Sequence, residues 1–251
     1  MASLVSAGLR RGTHLLMRTF AMTKTGFVRK KNEDRYLIKK MDDDSVFLAV
    51  ADGMGGAVAG EVAAEIAIDR LGEIRSDAVD FAGQLNLLME QADRDILLEV
   101  RKNLDLEGMG TTLTGVLLNN GAGYWIHVGD SRLYHIRGNQ LIWQTKDQSL
   151  VQSLLDEGTI TEKEAVIHPA RNLIDQCVGC GDCEPEEGRL NILSGDLIML
   201  STDGLHDAVD EATIVELLSL DADIEIKANE LVNRALDADG KDNITVVLAQ
   251  L

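Results

Sequence analysis

The sequence predicts an α+β fold, a central β-sandwich of two antiparallel sheets flanked by helices (α-β-β-α), on three observations. Short apolar runs of strand length recur through the chain, several joined by Asn or Gly turns. Long amphipathic helical patterns lie in groups between them. Only two prolines occur, and no low-complexity tract divides the 251 residues. Connections that short join antiparallel neighbours, and grouped helices fit on the outer faces of two stacked sheets.

Taken in order, LLMRTFAM (15–22) is the expected first strand, entered from an N-terminal extension over 1–19 that lacks acids and carries three arginines. Those residues have no hydrophobic stretch followed by a small-residue cleavage site, so an extension is preferred to a targeting segment. DRYLIKKM (34–41) and SVFLAVAD (45–52) are the next strands. GEVAAEIAIDRLGEI (60–74) reads as a helix, and so does GQLNLLMEQADRDILLEVRK (83–102), with Leu85, Leu88, Met89, Ala92 and Ile96 on one stripe. TTLTGVLLNN (111–120) and AGYWIHVGD (122–130) follow, then SRLYHIRGNQLIWQT (131–145), with turn residues where the chain must reverse. A helical flap is expected over 147–178, its second helix opened by a Thr161–Glu164 capping box. LIMLSTD (197–203), a helix over 211–220 capped by Asp210, a helix over 224–238 ending before Gly240, and NITVVLAQL (243–251) complete a single domain over 20–251.

With 42 acidic against 24 basic residues, the net charge of −18 argues against nucleic-acid and anionic-membrane partners and suits cations. A solvated acidic surface is the alternative reading of the same charge. No apolar run of about 18 residues occurs, so no membrane span is expected; a cytoplasmic location is expected from the cysteine usage. Cys177, Cys180 and Cys183 have the C-x2-C-x2-C spacing of a partial zinc or iron–sulfur site, but no second Cys pair supplies the missing ligand and only His168 is a candidate. An odd number of cysteines without a secretory signal points to reduced thiols.

Chemistry concentrates where strands end. FLAVAD closes on Asp52, YWIHVGD on Asp130 and LIMLSTD on Asp203, while Asp242 in GKDNITVVLAQL precedes its strand. In antiparallel sheets the end of one strand lies beside the start of its neighbour, so all four carboxylates can meet on one rim. Asp-Gly pairs also serve as plain turns, but four converging acids repel unless protons or cations lie between them. Carboxylates without His or Cys favour hard, water-retaining Mg2+ or Mn2+ over zinc, with the Gly53 carbonyl as a further ligand. Two such ions activate water and clamp a phosphate ester, for which Arg29 in FVRKKNED offers a bidentate anchor. Lys30 and Lys31 read as solvated charges.

GFVRKKNED (26–34), VADGMGG (50–56), GTT (110–112), GDSR (129–132), STDGL (201–205) and DN (242–243) resemble, in order, the motifs of the metal-dependent protein phosphatases of type 2C, in particular their bacterial serine/threonine branch. The resemblance runs from about residue 20 to the end of the sequence. It implies the sandwich described above and a binuclear Mn2+ or Mg2+ centre with a weaker third ion. By position, Asp52 bridges the metals, Gly53 lends its carbonyl, Asp203 and Asp242 bind one ion, Glu33 and Asp34 hold water around the other, Asp130 with Asp203 binds the third, and Arg29 holds the phosphate. The implied activity is hydrolysis of phosphoserine and phosphothreonine by a metal-bridging hydroxide, without a phosphoenzyme. The implied setting is a monomer acting on phosphorylated proteins and opposing a serine/threonine kinase. The alternatives are a phosphatase-like binding module and a dedicated phosphatase of one signalling protein. Two positions depart from relatives: Met54 stands where animal members have a histidine able to protonate the leaving group, and Gln148 where D-H-S is common. Protonation then falls to site water or another side chain, with His206 a candidate and a structural histidine the alternative.

Overall fold

Asn-Gly and Gly-Asn pairs set two of the hairpins from which the sheets are built. Asn120 and Gly121 have φ of 46° and 78°, and Gly138 and Asn139 have 55° and 64°. Two successive left-handed residues make the tight turn whose twist matches paired strands. The computed structural model describes residues 17–41, 45–55, 59–181 and 183–251. The extension expected over 1–19 therefore lies outside the described residues as far as residue 16, as do Gly56 and Asp182.

The strands are β1 (Arg18–Lys24), β2 (Arg35–Lys40), β3 (Val46–Ala51), β4 (Gly53–Met54), β5 (Gly110–Thr111), β6 (Leu113–Asn119), β7 (Ala122–Val128), β8 (Arg132–Arg137), β9 (Gln140–Gln144), β10 (Glu186–Asn191), β11 (Leu197–Ser201) and β12 (Ile244–Gln250). The helices are α1 (Ala59–Leu71), α2 (Phe81–Lys102), α3 (Leu150–Asp156), α4 (Glu162–Val166), α5 (Asp203–His206), α6 (Glu211–Leu218) and α7 (Ile224–Ala238). One five-stranded sheet runs β1-β12-β11-β8-β9, the other β10-β7-β6-β3-β2, and β4 and β5 form a small separate ribbon. All pairings between named strands are antiparallel. This is the expected α+β sandwich.

Strand alternation builds three apolar layers. In β3, Phe47, Ala49 and Ala51 face α1 and α2, while Val46, Leu48 and Val50 face the opposite sheet. In β12, Ile244, Val246 and Leu248 pack under α6 and α7, and Val247 and Ala249 fill the space between sheets. Side chains with a period of two thus serve two cores at once. The Leu85, Leu88, Met89, Ala92 and Ile96 stripe of α2 is buried as expected. Asp210 caps α6 through the Thr213 N–H, and the Thr161–Glu164 capping box opens α4. No helix among the described residues is long and apolar enough to cross a membrane.

Three expectations are corrected. β10, EEGRLN, is a strand that apolar patterning does not reveal, because it sits at a sheet edge with mostly exposed side chains. Asp203 does not close β11 but opens the one-turn helix α5, two residues later. The cysteines are not all reduced: Cys177 and Cys180 are joined in a disulfide and Cys183 is free. Their loop packs on the β5 backbone, with Thr111 and Val178 exchanging both hydrogen bonds.

Candidate metal centre

Asp52 is fixed by its own backbone. Its N–H donates to Thr112 Oγ1 at 3.0 Å, and its carbonyl accepts from the Thr112 N–H and from Thr111 Oγ1, both at 2.9 Å. The next residue pairs into the β4–β5 ribbon, Gly53 opposite Thr111. Gly53 is required by close approach: a Cβ there would lie 2.1 Å from the Gly60 carbonyl oxygen, and one on Gly60 would lie 2.5 Å from the Gly53 carbonyl carbon. The start of α1 therefore rests directly on the backbone that follows Asp52. Gly204 obeys the same rule, since its Cβ would meet the Asn243 carbonyl oxygen at 2.0 Å. Glycine after each of these aspartates lets neighbouring backbones touch and so draws Asp203 towards Asp242.

Asn243 locks the remaining loop in place. Its buried carboxamide donates to the carbonyls of Thr25 and Lys31 and accepts from the Glu33 N–H. Asp242 beside it accepts from Arg29 at 2.6 Å. Asp34 is buried beneath, one oxygen accepting from the hydroxyls of Thr202 and Thr245 at 2.9 and 2.6 Å.

These elements enclose a cavity of about 470 Å³ whose wall includes Arg29, Glu33, Asp52, Asp130, Asp203 and Asp242, with Gly53 among them. Asp34 is not on the wall. The electrostatics suit a bound cation. Burial, then repulsion by neighbouring aspartates, pushes Asp52 and Asp130 well above the ordinary carboxylate range. Burial likewise raises Asp203 to about 6, with Asp242 adding to it, and Asp34 to about 7 against the lowering effect of its two threonines. Asp203 repels the Asp52 carboxylate, a repulsion that a shared proton or an intervening ion relieves. Burial also raises Glu33, while the hydrogen bond to Asp242 raises Arg29 and keeps its guanidinium charged.

The donor set fits a hard divalent cation. Asp34 Oδ1 and Asp203 Oδ1 are buried with no hydrogen-bond partner, which is costly unless a ligand supplies one. No His or Cys lines the cavity. Among the described residues no three Asp, Glu, His or Cys side chains close into a ready-made ligand cage. Carboxylates on an open wall instead suit an ion that keeps several of its waters.

Side chains whose roles were open now have places. Met54 lines the cavity. His206 is held well below the ordinary histidine range, at about 3, by burial and by Arg132, so it carries no imidazolium at neutral pH and acts as a structural histidine beside Ser201. Gln148 accepts from the Gly129 N–H at 2.9 Å, and its own N–H donates to the Gly129 carbonyl at 2.7 Å, so the flap is tied to the loop carrying Asp130. The flap returns Asn172 and Ile174 to the cavity wall. Thr112, Asn243 and Gly60 are the positioning residues that motif reading left without roles. The Thr-Thr after Gly110 and the Asn after Asp242 were the available signals; for Gly60 there was none.

The family model described as protein phosphatase 2C matches residues 28–237. The serine/threonine protein phosphatase PstP of Mycobacterium tuberculosis is 39% identical over 225 residues, covering 87% of this chain and 44% of the relative. The chain thus spans less than half the length of that relative. The serine/threonine phosphatase stp of Listeria monocytogenes is 32% identical over 235 residues, covering 91% of this chain and 93% of the relative. The solved catalytic domain of PstP, in complex with two manganese ions, superposes with a TM-score of 0.84 at 37% identity, covering 93% of this chain and 97% of the other.

Proposed function

The chain belongs to the protein phosphatase 2C family, and on that premise we propose that it is a metal-dependent serine/threonine protein phosphatase that hydrolyses phosphoserine and phosphothreonine in proteins. The observation that carries the reading is the meeting of Asp52, Asp203, Asp242 and Asp130 around one cavity, with Arg29 on its rim and buried carboxylate oxygens that have no partner. Residues 20–251 are the phosphatase domain in this reading, with 147–178 as its flap.

Bound Mn2+ or Mg2+ would supply Lewis acidity, lowering the pKa of water and drawing charge from phosphoryl oxygens. Asp52 would be shared between two such ions, and the Gly53 carbonyl would add a neutral ligand. Asp203 and Asp242 would hold one ion, and Asp130 with Asp203 would hold a weaker third. Glu33 on the wall would hold site water, and Asp34, buried behind it, would do so only through its partnerless Oδ1. Arg29 keeps its charge throughout the accessible pH range and lies on the cavity wall bonded to Asp242, where its guanidinium can hold two phosphoryl oxygens. Met54 donates no proton and His206 is not protonated at neutral pH, so the leaving alkoxide takes its proton from site water. The enzyme works as a cytoplasmic monomer and opposes a serine/threonine kinase.

Asp203→Asn is expected to lower Mn2+-dependent hydrolysis of a phosphothreonine peptide by at least ~100-fold, and excess chelator should do the same to the wild type. The measurement is phosphate release. Full activity in either condition would exclude the reading.

A further inference from the structure

The loop between β1 and β2 is tightly held beside the cavity and carries three successive cations. Gly26 (φ 76°) lies flat against residues 240–242, where a Cβ would meet the Asp242 carbonyl oxygen at 2.3 Å. The Phe27 N–H donates to the Gly240 carbonyl at 2.7 Å, and Asn243 binds the carbonyls of Thr25 and Lys31, one at each end of the loop, at 2.9 Å. Between these anchors the side chains of Phe27 and Val28 are 74% and 66% exposed. Arg29, Lys30 and Lys31 all line the cavity.

Arg29 is engaged with Asp242. The two lysines differ: both are exposed, and neither makes an ion pair or hydrogen bond through its ammonium group with a described residue. In a chain with 42 acidic and 24 basic residues, two adjacent exposed lysines at the mouth of a site stand out, although Lys31 also lies close enough to Glu33 to favour its charged form. The flap residues on the wall, Asn172 and Ile174, are uncharged, so they neither neutralise nor duplicate these charges.

We propose that Lys30 and Lys31, held by the Asn243-clamped loop, select phosphoprotein segments bearing an acidic side chain close to the phosphorylated residue. This rests on the phosphatase reading above. Successive Cα atoms lie about 3.8 Å apart, so a carboxylate within about three residues of a phosphate in the cavity reaches an ammonium on the adjoining rim. The net charge of −18 disfavours an acidic segment on most of the surface, which makes the lysine pair a register mark as well as an attraction. Exposed Phe27 and Val28 offer an apolar shelf next to it.

The test uses three phosphothreonine peptides identical except for acidic, neutral or basic flanking residues, with p-nitrophenyl phosphate as a substrate that has no flank. Wild type should favour the acidic over the basic peptide by about tenfold in kcat/KM, mainly through KM, and 0.5 M salt should erode the preference, as it does for exposed charge pairs. Lys30→Ala/Lys31→Ala should reduce the ratio to about twofold, and Lys30→Glu/Lys31→Glu should invert it, each ratio normalised to the aryl phosphate. An undiminished ratio in the double alanine variant overturns the inference while leaving the phosphatase reading intact. Absence of all turnover, aryl phosphate included, overturns the phosphatase reading instead. The inference is then decided by fluorescence anisotropy of the same peptides on wild type and the double alanine variant: a lysine-dependent preference for the acidic peptide supports it, and equal binding overturns it.

Discussion

The two ends of β11 each carry an aspartate, and the two are treated in opposite ways. Asp196, just before the strand, is 1% exposed and fully engaged: Arg137 donates twice at 2.7 Å, the Leu193 N–H donates at 2.8 Å, and His135 Nε2 lies at 2.8 Å. Burial pushes its carboxyl up, but these partners outweigh burial and hold it below the usual range. Asp203, two residues past the other end, is raised to about 6 by burial and keeps one buried oxygen without a partner. Burial alone therefore does not decide what a carboxylate does; the count of donors does. One end is complete as folded, and the other is complete only with a ligand.

The largest expected effect breaks the closed end. Asp196→Ala leaves Arg137 and His135 without their shared acceptor and should cost about 4 kcal/mol in chemical denaturation, the usual scale for removing one partner of a buried ion pair. Asp203→Asn, measured without metal, should cost nothing by the same assay. Equal losses at the two ends would abolish the distinction.

Acid sharpens it next. Asp196 has a depressed pKa, so its contribution is present above the unfolded value of about 3.9 and is lost only as pH falls through the lower folded value. His127 behaves differently. Buried, with Nε2 toward the Lys146 carbonyl and Nδ1 toward the Thr114 hydroxyl, it is lowered to about 4 by burial. Between about 6.5 and 4 the unfolded chain binds a proton at this residue that the folded chain does not, so the contribution of His127 falls as pH falls, by about 3 kcal/mol across the window, while the raised Asp203 and Asp34 act in the opposite sense. His127→Gln should flatten that part of a denaturation profile, and Asp196→Ala should shift the profile without changing its slope there.

How much of this was legible depends on whether a signal is local. The alternation of SVFLAVAD and NITVVLAQL is carried by single strands, so sheet class and core faces could be read directly. The site aspartates could be read because three follow apolar runs and one precedes such a run. Asn243 and Gly60 could not, because their roles lie in contacts with residues 25–33 and with Gly53, distant in the chain. The polar edge strand β10 has no alternation to read, and the disulfide depends on a loop shape set by its pairing with β5. The Lys30–Lys31 pair was legible as residues but not as a surface, since exposure toward the cavity belongs to the loop that Asn243 closes.

The smallest effect is the most direct probe of the open end. If Asp203, Asp52 and Asp242 form a set that a cation completes, Mn2+ binds the folded chain and not the unfolded one, and mass action must stabilise the fold. At a free concentration of 100 times the dissociation constant the gain is about 2.7 kcal/mol, seen as a rise in the thermal unfolding midpoint that chelator reverses. Asp203→Asn removes one carboxylate from the set, relieves repulsion on Asp52, and places an amide where a partnerless oxygen stood. The variant should therefore match or exceed the wild type in chelator, yet gain little from Mn2+. Asp196→Ala should start lower and gain as much as the wild type does. A metal response carried by the first end, or by neither, would mean that the partnerless oxygen of Asp203 is not waiting for a cation.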